Sequence, residues 1–220
     1  MRADAERNRQ TLVVAARRSF VEDGLDVALE AVARRSGLGI ATLYRHFPER
    51  HALVSAVAVD VMARTIDELQ VAVAEEPDAF AALRRYMHRA LDVGVASIMP
   101  LIADDTRGDA EVMARRDETA ALQRGLVDRA KREGSLRADV DFADIGLVVT
   151  RFSRPIACGF DADLEWTFAH RHLDVFIDGL NAERAATRLA GPALSLEQLR
   201  AMKDREMAET PGGEGMAGAR

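Results

Sequence analysis

Four side chains capable of polar chemistry lie close together in the segment IATLYRHF, residues 40–47. They are the hydroxyl of Thr42, the phenol of Tyr44, the guanidinium of Arg45 and the imidazole of His46. Such groups hydrogen-bond to phosphates, base edges or polar substrates, and an imidazole also transfers protons near neutral pH. The cluster could be an active site, a surface patch or a surface that reads another molecule, and the elements that carry it decide between these.

The rest of the sequence has no pattern typical of catalysis or of a metal centre. No Ser/His/Asp or Cys/His set has a recognisable spacing, and Cys158 has no base nearby in the sequence. No glycine-rich phosphate-binding loop occurs. His170 and His172 look like a metal pair, but residues two apart on a helix point in different directions. We therefore predict no metal, no cofactor and no enzymatic activity.

Composition favours a helical protein outside the membrane. The chain has 220 residues, of which 48% are hydrophobic and 30% charged, enough for one or two domains with a real core. Aromatic residues are only 5% and alanine is abundant, which favours helices over strands. A single cysteine permits no intrachain disulfide. The first ten residues are too polar for a signal peptide, and the most apolar run, residues 145–158, is too charged to span a bilayer. We expect a cytoplasmic protein with no membrane partner.

Charge is distributed unevenly along the chain. The formal net charge is -6, which argues against a protein that coats nucleic acid along its whole length. Residues 1–51, however, hold nine arginines and seven acids, a net of +2, so residues 52–220 carry a net of -8. This asymmetry indicates a basic contact end on an acidic body.

Apolar periodicity predicts an all-α fold with two helical domains and a tail. The first four predicted helices cover residues 5–22, 29–35, 40–46 and a long 50–74. Later predicted helices cover residues 80–103, 110–132 (with a possible break near Asp117), 142–158 (with a kink near Pro155), 164–189 and 194–207. The predicted domains are residues 6–65 and 78–190. The tail, residues 191–220, is expected to be largely disordered, because it ends in a polar, glycine-rich stretch.

Helices 29–35 and 40–46, joined by a turn at Gly37, have the pattern of a helix-turn-helix, residues 28–47. In the second helix Ile40, Leu43 and Phe47 share one face, which we expect to turn into the domain. The polar cluster is left on the other faces. A major groove about 12 Å wide admits one such helix, so DNA is the first ligand that this geometry indicates.

The segment of residues 24–57 strongly resembles the DNA-binding domain of the tetracycline-repressor (TetR) family. The residues that carry the resemblance are Gly24, Val32-Ala33, Ser36-Gly37-Leu38, Thr42-Leu43-Tyr44-Arg45-His46-Phe47 and Arg50. The resemblance covers about 60 residues, 6–65. It implies a three-helix DNA-binding domain that is joined through the long fourth helix to a helical ligand-binding and dimerisation domain.

The resemblance also implies which residues meet DNA. These are Gly39, Ile40, Ala41, Thr42, Tyr44, Arg45, His46 and Arg50, with Arg50 in the position of a phosphate-binding lysine. Two departures are Ala28 and Gly39, where many members have a capping Ser or Thr that also bonds a phosphate. Gly39 can still offer its N–H group. Arg2, Arg7 and Arg9 could add a basic arm; the alternative is a solvated terminus.

Two further sets of residues follow from the resemblance. The candidate ligand pocket consists of Met87, Leu91, Val95, Met99, Met113, Phe152 and Trp166, although apolar residues at helical spacing are more often ordinary core. The candidate dimer interface consists of Ile145, Val149, Ile156, Leu173, Phe176, Ile177 and Leu180, unless both stripes face the protomer's own core.

The implied function is that of a homodimeric regulator, most simply a repressor, that binds a near-palindromic operator in double-stranded DNA. An unidentified small-molecule effector would release it. A ligand-responsive activator is an alternative. The other alternative is an all-helical small-molecule-binding protein or enzyme that does not bind DNA.

Overall fold

The structure is a computed structural model, and it describes residues 2–103, 105–106, 108–154, 161–195, 198 and 201–202. Within these residues nine α-helices form the fold, and the β-structure consists of one isolated antiparallel bridge between Leu136 and Asn181. The all-α fold class is thereby confirmed. The helices are α1 Arg2–Asp23, α2 Leu29–Ser36, α3 Ile40–His46, α4 Arg50–Glu75, α5 Ala79–Val93, α6 Val95–Ile102, α7 Ala110–Arg132, α8 Phe142–Phe152 and α9 Ala162–Leu180.

The N-terminal core fixes the first three helices against the start of α4. Its largest fully buried side chains include Leu12 and Phe20 of α1, Leu43 of α3 and Leu53 of α4. Each such side chain contributes about 1.5–3 kcal/mol when it leaves water. Two residues of α6, Ile98 and Ile102, are also fully buried in this core. The DNA-binding end is therefore packed directly against the rest of the molecule.

A second core joins the later half of α4 to α5, α7, α8 and α9. Leu69 of α4, Met87 of α5 and Leu173 of α9 are among its buried members. Tyr86 of α5 lies in the same core and accepts a hydrogen bond from the Gln123 amide of α7. Burial raises the pKa of Tyr86 to about 12, because the phenolate would lie among apolar side chains. Helix α4 thus contributes to both cores and connects them.

The prediction of one helix over residues 80–103 is wrong, because the chain breaks at Gly94. This glycine has φ 73° and ends α5 in the left-handed conformation, where its N–H bonds to the carbonyls of Ala90 and Leu91. Only glycine adopts that conformation without a steric cost. The break turns α6 away from the second core and into the first, where Ile98 and Ile102 are buried.

Helix α7 is continuous through Asp117, so the possible break there does not occur. Its N-cap is Asp109, whose carboxylate accepts from the N–H groups of Glu111 and Val112 at 3.0 and 3.2 Å. These bonds satisfy donors that the first helical turn leaves free.

The predicted end of the last long helix at residue 189 is also wrong, because α9 stops at Leu180. Beyond it the chain pairs with the segment after α7. Arg137 N–H donates to Leu180 O at 3.0 Å, and Ala182 N–H donates to Ser135 O at 2.9 Å. Asn181 and its neighbours therefore exchange helical hydrogen bonds for bonds to a distant segment.

Helix α8 begins with a capping box formed by Asp141 and Asp144 and ends at Phe152. The predicted extension to residue 158, with its kink near Pro155, lies mostly outside the described residues, as does most of the predicted helix 194–207. Residues 203–220, which form most of the predicted disordered tail, also lie outside them. None of the helices in the described part of the chain has the length and apolar character needed to cross a membrane.

Candidate nucleic-acid interface

The turn between α2 and α3 has the geometry that a helix-turn-helix requires. Gly37 adopts φ 72°, and its N–H donates to Arg34 O at 3.1 Å while Leu38 N–H donates to Ala33 O at 3.2 Å. This pattern ends a helix and reverses the chain within three residues. Ser36 supports the turn by bonding Ala33 O at 2.7 Å through its hydroxyl.

The faces of α3 are divided as the spacing predicts. Leu43 is fully buried, and Phe47, immediately after the helix, is 2% exposed. Tyr44 is 46% exposed, and Arg45 and Ala41 are exposed as well. The other predicted contact residues on the helix, Ile40, Thr42 and His46, are half-buried, and Ile40 packs against the N-terminal core. The outer face of α3 therefore presents a phenol and a guanidinium to solvent.

His46 and Arg9 meet at one edge of this face. The Arg9 guanidinium lies over the ring of Phe47, 5.3 Å from its centroid, in the geometry of a cation–π contact. Arg9 and His46 also line the same shallow cleft beside the first turns of α1. Nε2 of His46 is buried and has no hydrogen-bond partner among the described residues. The N-terminal part of α1 is thus placed next to the end of α3.

The two residues that depart from the family pattern lie at helix N-caps, as predicted. Ala28 caps α2 and Gly39 caps α3, and neither position has a side-chain capping bond. Arg50 opens α4, where its Nη2 donates to Val27 O at 2.8 Å. That bond ties the start of α4 to the loop before α2 and uses one of the five donors of the guanidinium.

Comparison with known proteins identifies this arrangement. Residues 12–57 match the family model described as bacterial regulatory proteins, tetR family. A crystal structure of the TetR transcriptional regulator SCO0520 from Streptomyces coelicolor is 31% identical in sequence, with a TM-score of 0.58, and the match covers 79% of this chain and 98% of that one. The chain belongs to the TetR family. Its N-terminal unit is the helix-turn-helix DNA-binding domain of that family.

Two other regulators show how far the likeness extends. The HTH-type transcriptional regulator SAUSA300_2515 of Staphylococcus aureus is 39% identical over 54 residues, which is 24% of this chain and only 29% of that protein. The TetR-like regulator LfrR of Mycobacterium smegmatis, solved with proflavine, has a TM-score of 0.57 at 21% identity and is matched over 95% of its length, with 77% of this chain covered. The latter likeness establishes the fold alone.

A cavity of about 320 Å³ lies between the end of α1, α5, the end of α8 and the start of α9. Three of the predicted pocket residues line it, Leu91, Phe152 and Trp166. Its other walls include Val21, Arg154, Glu165, Ala169, His170 and His172. The remaining predicted pocket residues lie elsewhere: Met87 is fully buried in the second core, Val95 packs against both cores, Met99 packs against the first, and Met113 is 37% exposed.

Most of the predicted dimer residues are buried inside the protomer. Ile145, Val149, Leu173, Ile177 and Leu180 are at most 5% exposed and belong to the second core. Phe176 is half-buried, and Ile156 lies outside the described residues. The periodicity located an apolar stripe, and five of its members face the protomer's own core, which is the alternative that the sequence left open.

An apolar groove lies between α8 and α9, and two of the predicted dimer residues, Phe176 and Leu180, line it together with residues that were not predicted. It has a volume of about 520 Å³ and is lined by Leu147, Val148, Val175 and Phe176, with Arg151 and Asp144 beside them. Val175 is 74% exposed and Leu147 is 41% exposed. The only sequence signal was a second set of apolar residues on helices whose first set already formed a stripe.

Proposed function

We propose that this protein is a homodimeric repressor that reads double-stranded DNA with α3 and leaves it when a small molecule binds. One observation carries the DNA-binding part of the proposal. Helix α3 is held by buried Leu43 and Phe47, while Tyr44 and Arg45 on its outer face are free for bases and phosphates. Thr42, His46, Gly39, Ile40, Ala41 and Arg50 complete the proposed contact set. Such a regulator acts in the cytoplasm.

A dimer would place two copies of α3 on one face of the DNA. Two recognition helices related by a two-fold axis fit successive major grooves about 34–36 Å apart, so the operator should be near-palindromic. The proposed contact between protomers is the groove of α8 and α9, because its exposed Leu147 and Val175 gain most from burial against a second copy.

The test of DNA reading is operator binding by Tyr44→Ala and His46→Ala. We expect each substitution to weaken binding to the DNA upstream of the protein's own gene by about tenfold or more, since a good contact contributes about 1–3 kcal/mol. Fluorescence anisotropy at two salt concentrations measures it, and wild-type binding should weaken as salt rises. His172→Ala, on α9, is the matched control.

Neither variant is expected to lose stability by breaking a hydrogen bond. Tyr44 is exposed, and Nε2 of His46 has no partner among the described residues. Full operator affinity in both folded variants would show that α3 is not the reading helix. If the affinity for DNA did not change with salt concentration, the protein would make no phosphate contacts, and the proposed DNA binding would be rejected.

We place the effector in the cavity between α1, α5, α8 and α9. Three aromatic residues, Phe152, Trp166 and His170, line it, which suits a flat aromatic ligand. Because Val21 of α1 also lines the cavity, a ligand there touches the DNA-binding domain as well as the C-terminal helices. The ligand can cause the protein to leave the operator only if it binds the DNA-free form more tightly than the DNA-bound form.

Trp166 is the only tryptophan in the sequence, so its fluorescence reports on this cavity directly. The planar dye proflavine, which is bound to LfrR, is a suitable probe. We expect it to quench Trp166, and we expect Ala169→Phe, which fills the cavity, to weaken that binding at least about tenfold. Ala121→Phe on the exposed surface of α7 should have no effect. Equal dye binding by both variants would place the ligand elsewhere.

A further inference from the structure

Two histidines from different helices meet through their ring nitrogens, and one of them, His170, lines the cavity. Nδ1 of His88, on α5, lies 2.7 Å from Nδ1 of His170, on α9. The ring centroids are 5.0 Å apart and the ring planes differ by 10°. The centroid separation is about the nitrogen–nitrogen distance plus the distance from centroid to nitrogen in each ring. The two centroids and the two nitrogens therefore lie nearly on one line, and the rings lie edge to edge in nearly one plane. This is the geometry of a nearly straight N–H···N hydrogen bond.

Each histidine also faces a carboxylate through its other nitrogen. Nε2 of His88 is 3.1 Å from Oδ1 of Asp174, and Nε2 of His170 is 3.2 Å from Oδ1 of Asp92. A carboxylate only accepts hydrogen bonds, so both Nε2 atoms must carry a proton. The bond between the Nδ1 atoms needs one proton more. Three protons on four ring nitrogens give the pair one positive charge.

The alternatives each break a contact. A neutral pair holds two protons, so either the Nδ1 atoms face each other as two acceptors or one Nε2 lone pair faces a carboxylate. A doubly charged pair holds four protons, and two N–H groups then point at each other across 2.7 Å. Only the singly charged pair satisfies every observed contact.

The surrounding charges balance this single charge. On α5, Arg84 donates to Asp174 at 2.7 Å and Arg89 donates to Asp92 at 3.0 Å. Arg89 also bonds both oxygens of Glu68 on α4, at 2.8 and 3.0 Å. The three carboxylates and two guanidiniums together carry one net negative charge, which one positive charge on the histidine pair neutralises. Arg154, Glu165 and His172 also line the cavity, and the first two carry opposite charges.

We propose that His88 and His170 form a proton-binding site that holds one excess proton near neutral pH and admits a second only when the contact between α5 and α9 opens. The site lies on the cavity wall, and the ring of Trp166 is 4.1 Å from that of His170 between centroids. Acidification therefore separates two helices beside the cavity. The proposal does not depend on DNA binding.

Burial and the neighbouring carboxylates act in opposite directions on the charge of this site. Burial lowers the pKa of His170, and the attraction of Asp92 opposes that effect only in part. Burial raises the pKa of Asp174, but hydrogen bonds from His88 and Arg84 outweigh it and leave the pKa below its usual range. Because folding lowers the pKa of His170, the folded chain binds fewer protons than the unfolded chain below about pH 6.5, so stability falls as pH falls through that value.

Nitrogen-15 NMR of the histidine side chains in the full chain tests the proton count. At about pH 7 we expect three of the four ring nitrogens of the pair to be protonated, with one proton shared between the Nδ1 atoms. Two protonated nitrogens at that pH would overturn the proposal. This measurement uses the wild-type protein and needs no variant to fold.

Trp166 fluorescence tests the coupling between the rings. In His88→Gln no second imidazole competes with His170 for a proton, so we expect the midpoint that Trp166 reports to move to higher pH than in the wild type. His172→Gln is the matched control, because this histidine lines the same cavity. The midpoint of the Trp166 fluorescence change in this variant should equal that of the wild type. An unchanged midpoint in folded His88→Gln would show that the two rings titrate independently and would also overturn the proposal.

Discussion

At the scale of single residues, the proposed DNA-binding face is built from side chains with separate tasks. Leu43 and Phe47 hold α3 in the N-terminal core, and Tyr44 and Arg45 remain in solvent. The spacing in IATLYRHF was enough to predict this division, because residues three and four apart share a helix face. It could not show that Arg9, thirty-eight positions before Phe47, lies over its ring. Arg9 was only one of three arginines in a possible arm.

We predict that Arg9→Gln weakens operator binding and lowers its salt dependence. Arg9 has no ion pair with a carboxylate among the described residues and lies beside His46, so its charge is available to a phosphate. Losing one phosphate contact should reduce the slope of log affinity against log salt by about 1. Arg132→Gln, at the far end of α7, is the control. An unchanged slope in Arg9→Gln would assign this arginine to packing on Phe47 alone.

At the scale of helices, glycines decide where the chain changes direction. Gly37 makes the turn of the helix-turn-helix and was predicted to do so, because it stands between two short amphipathic segments. Gly94 was missed, because the apolar spacing continues across it from α5 into α6. That Gly94 ends a helix could be recognised only after the two cores were known. The buried residues of α5 pack into the second core, and Ile98 and Ile102 of α6 pack into the first.

We predict opposite effects of alanine at two glycines. At Gly94, with φ 73°, a Cβ atom meets no neighbour within 4 Å, so the cost is the left-handed backbone alone, about 1–2 kcal/mol of the free energy of unfolding. At Gly125, inside α7 and equally open, alanine should stabilise by about 0.5–1 kcal/mol. Thermal unfolding measures both, and about 2–4 °C is expected per kcal/mol for a chain of this size. A rise in Tm for Gly94→Ala would contradict the proposed role of the turn.

At the scale of the whole molecule, α4 connects the DNA-binding end to the cavity and the proposed dimer surface. Its first half is buried with α1 and α3, and its second half is buried with α5 and α7. Helix α6 adds a second connection, because it leaves the C-terminal helices and packs into the N-terminal core. A change beside the cavity can therefore reach α3 through packed helices rather than through a flexible linker.

We predict that Val175→Glu converts the proposed dimer to a monomer. Val175 is 74% exposed in the groove of α8 and α9, and a two-fold axis would bring two glutamates together in an apolar contact. Like charges in such a contact cost several kcal/mol, so dimer affinity should fall at least about a hundredfold. Light scattering after gel filtration measures the mass. Val73→Glu, at an exposed site on α4, should leave it unchanged. Equal masses for both variants and wild type would reject this surface.

The sequence alone determined the helix-turn-helix, the division of α3 into inner and outer faces, and the bounds of α1 to α4 to within a few residues. These features depend on hydrogen bonds and side-chain spacing within a few positions along the chain. Tertiary structure decided which apolar stripe of α8 and α9 is core and which is exposed. It also decided where α9 ends and which histidines meet. His88 and His170 are 82 positions apart, and only the packing of α5 against α9 brings their rings together, because no local rule links residues at that separation.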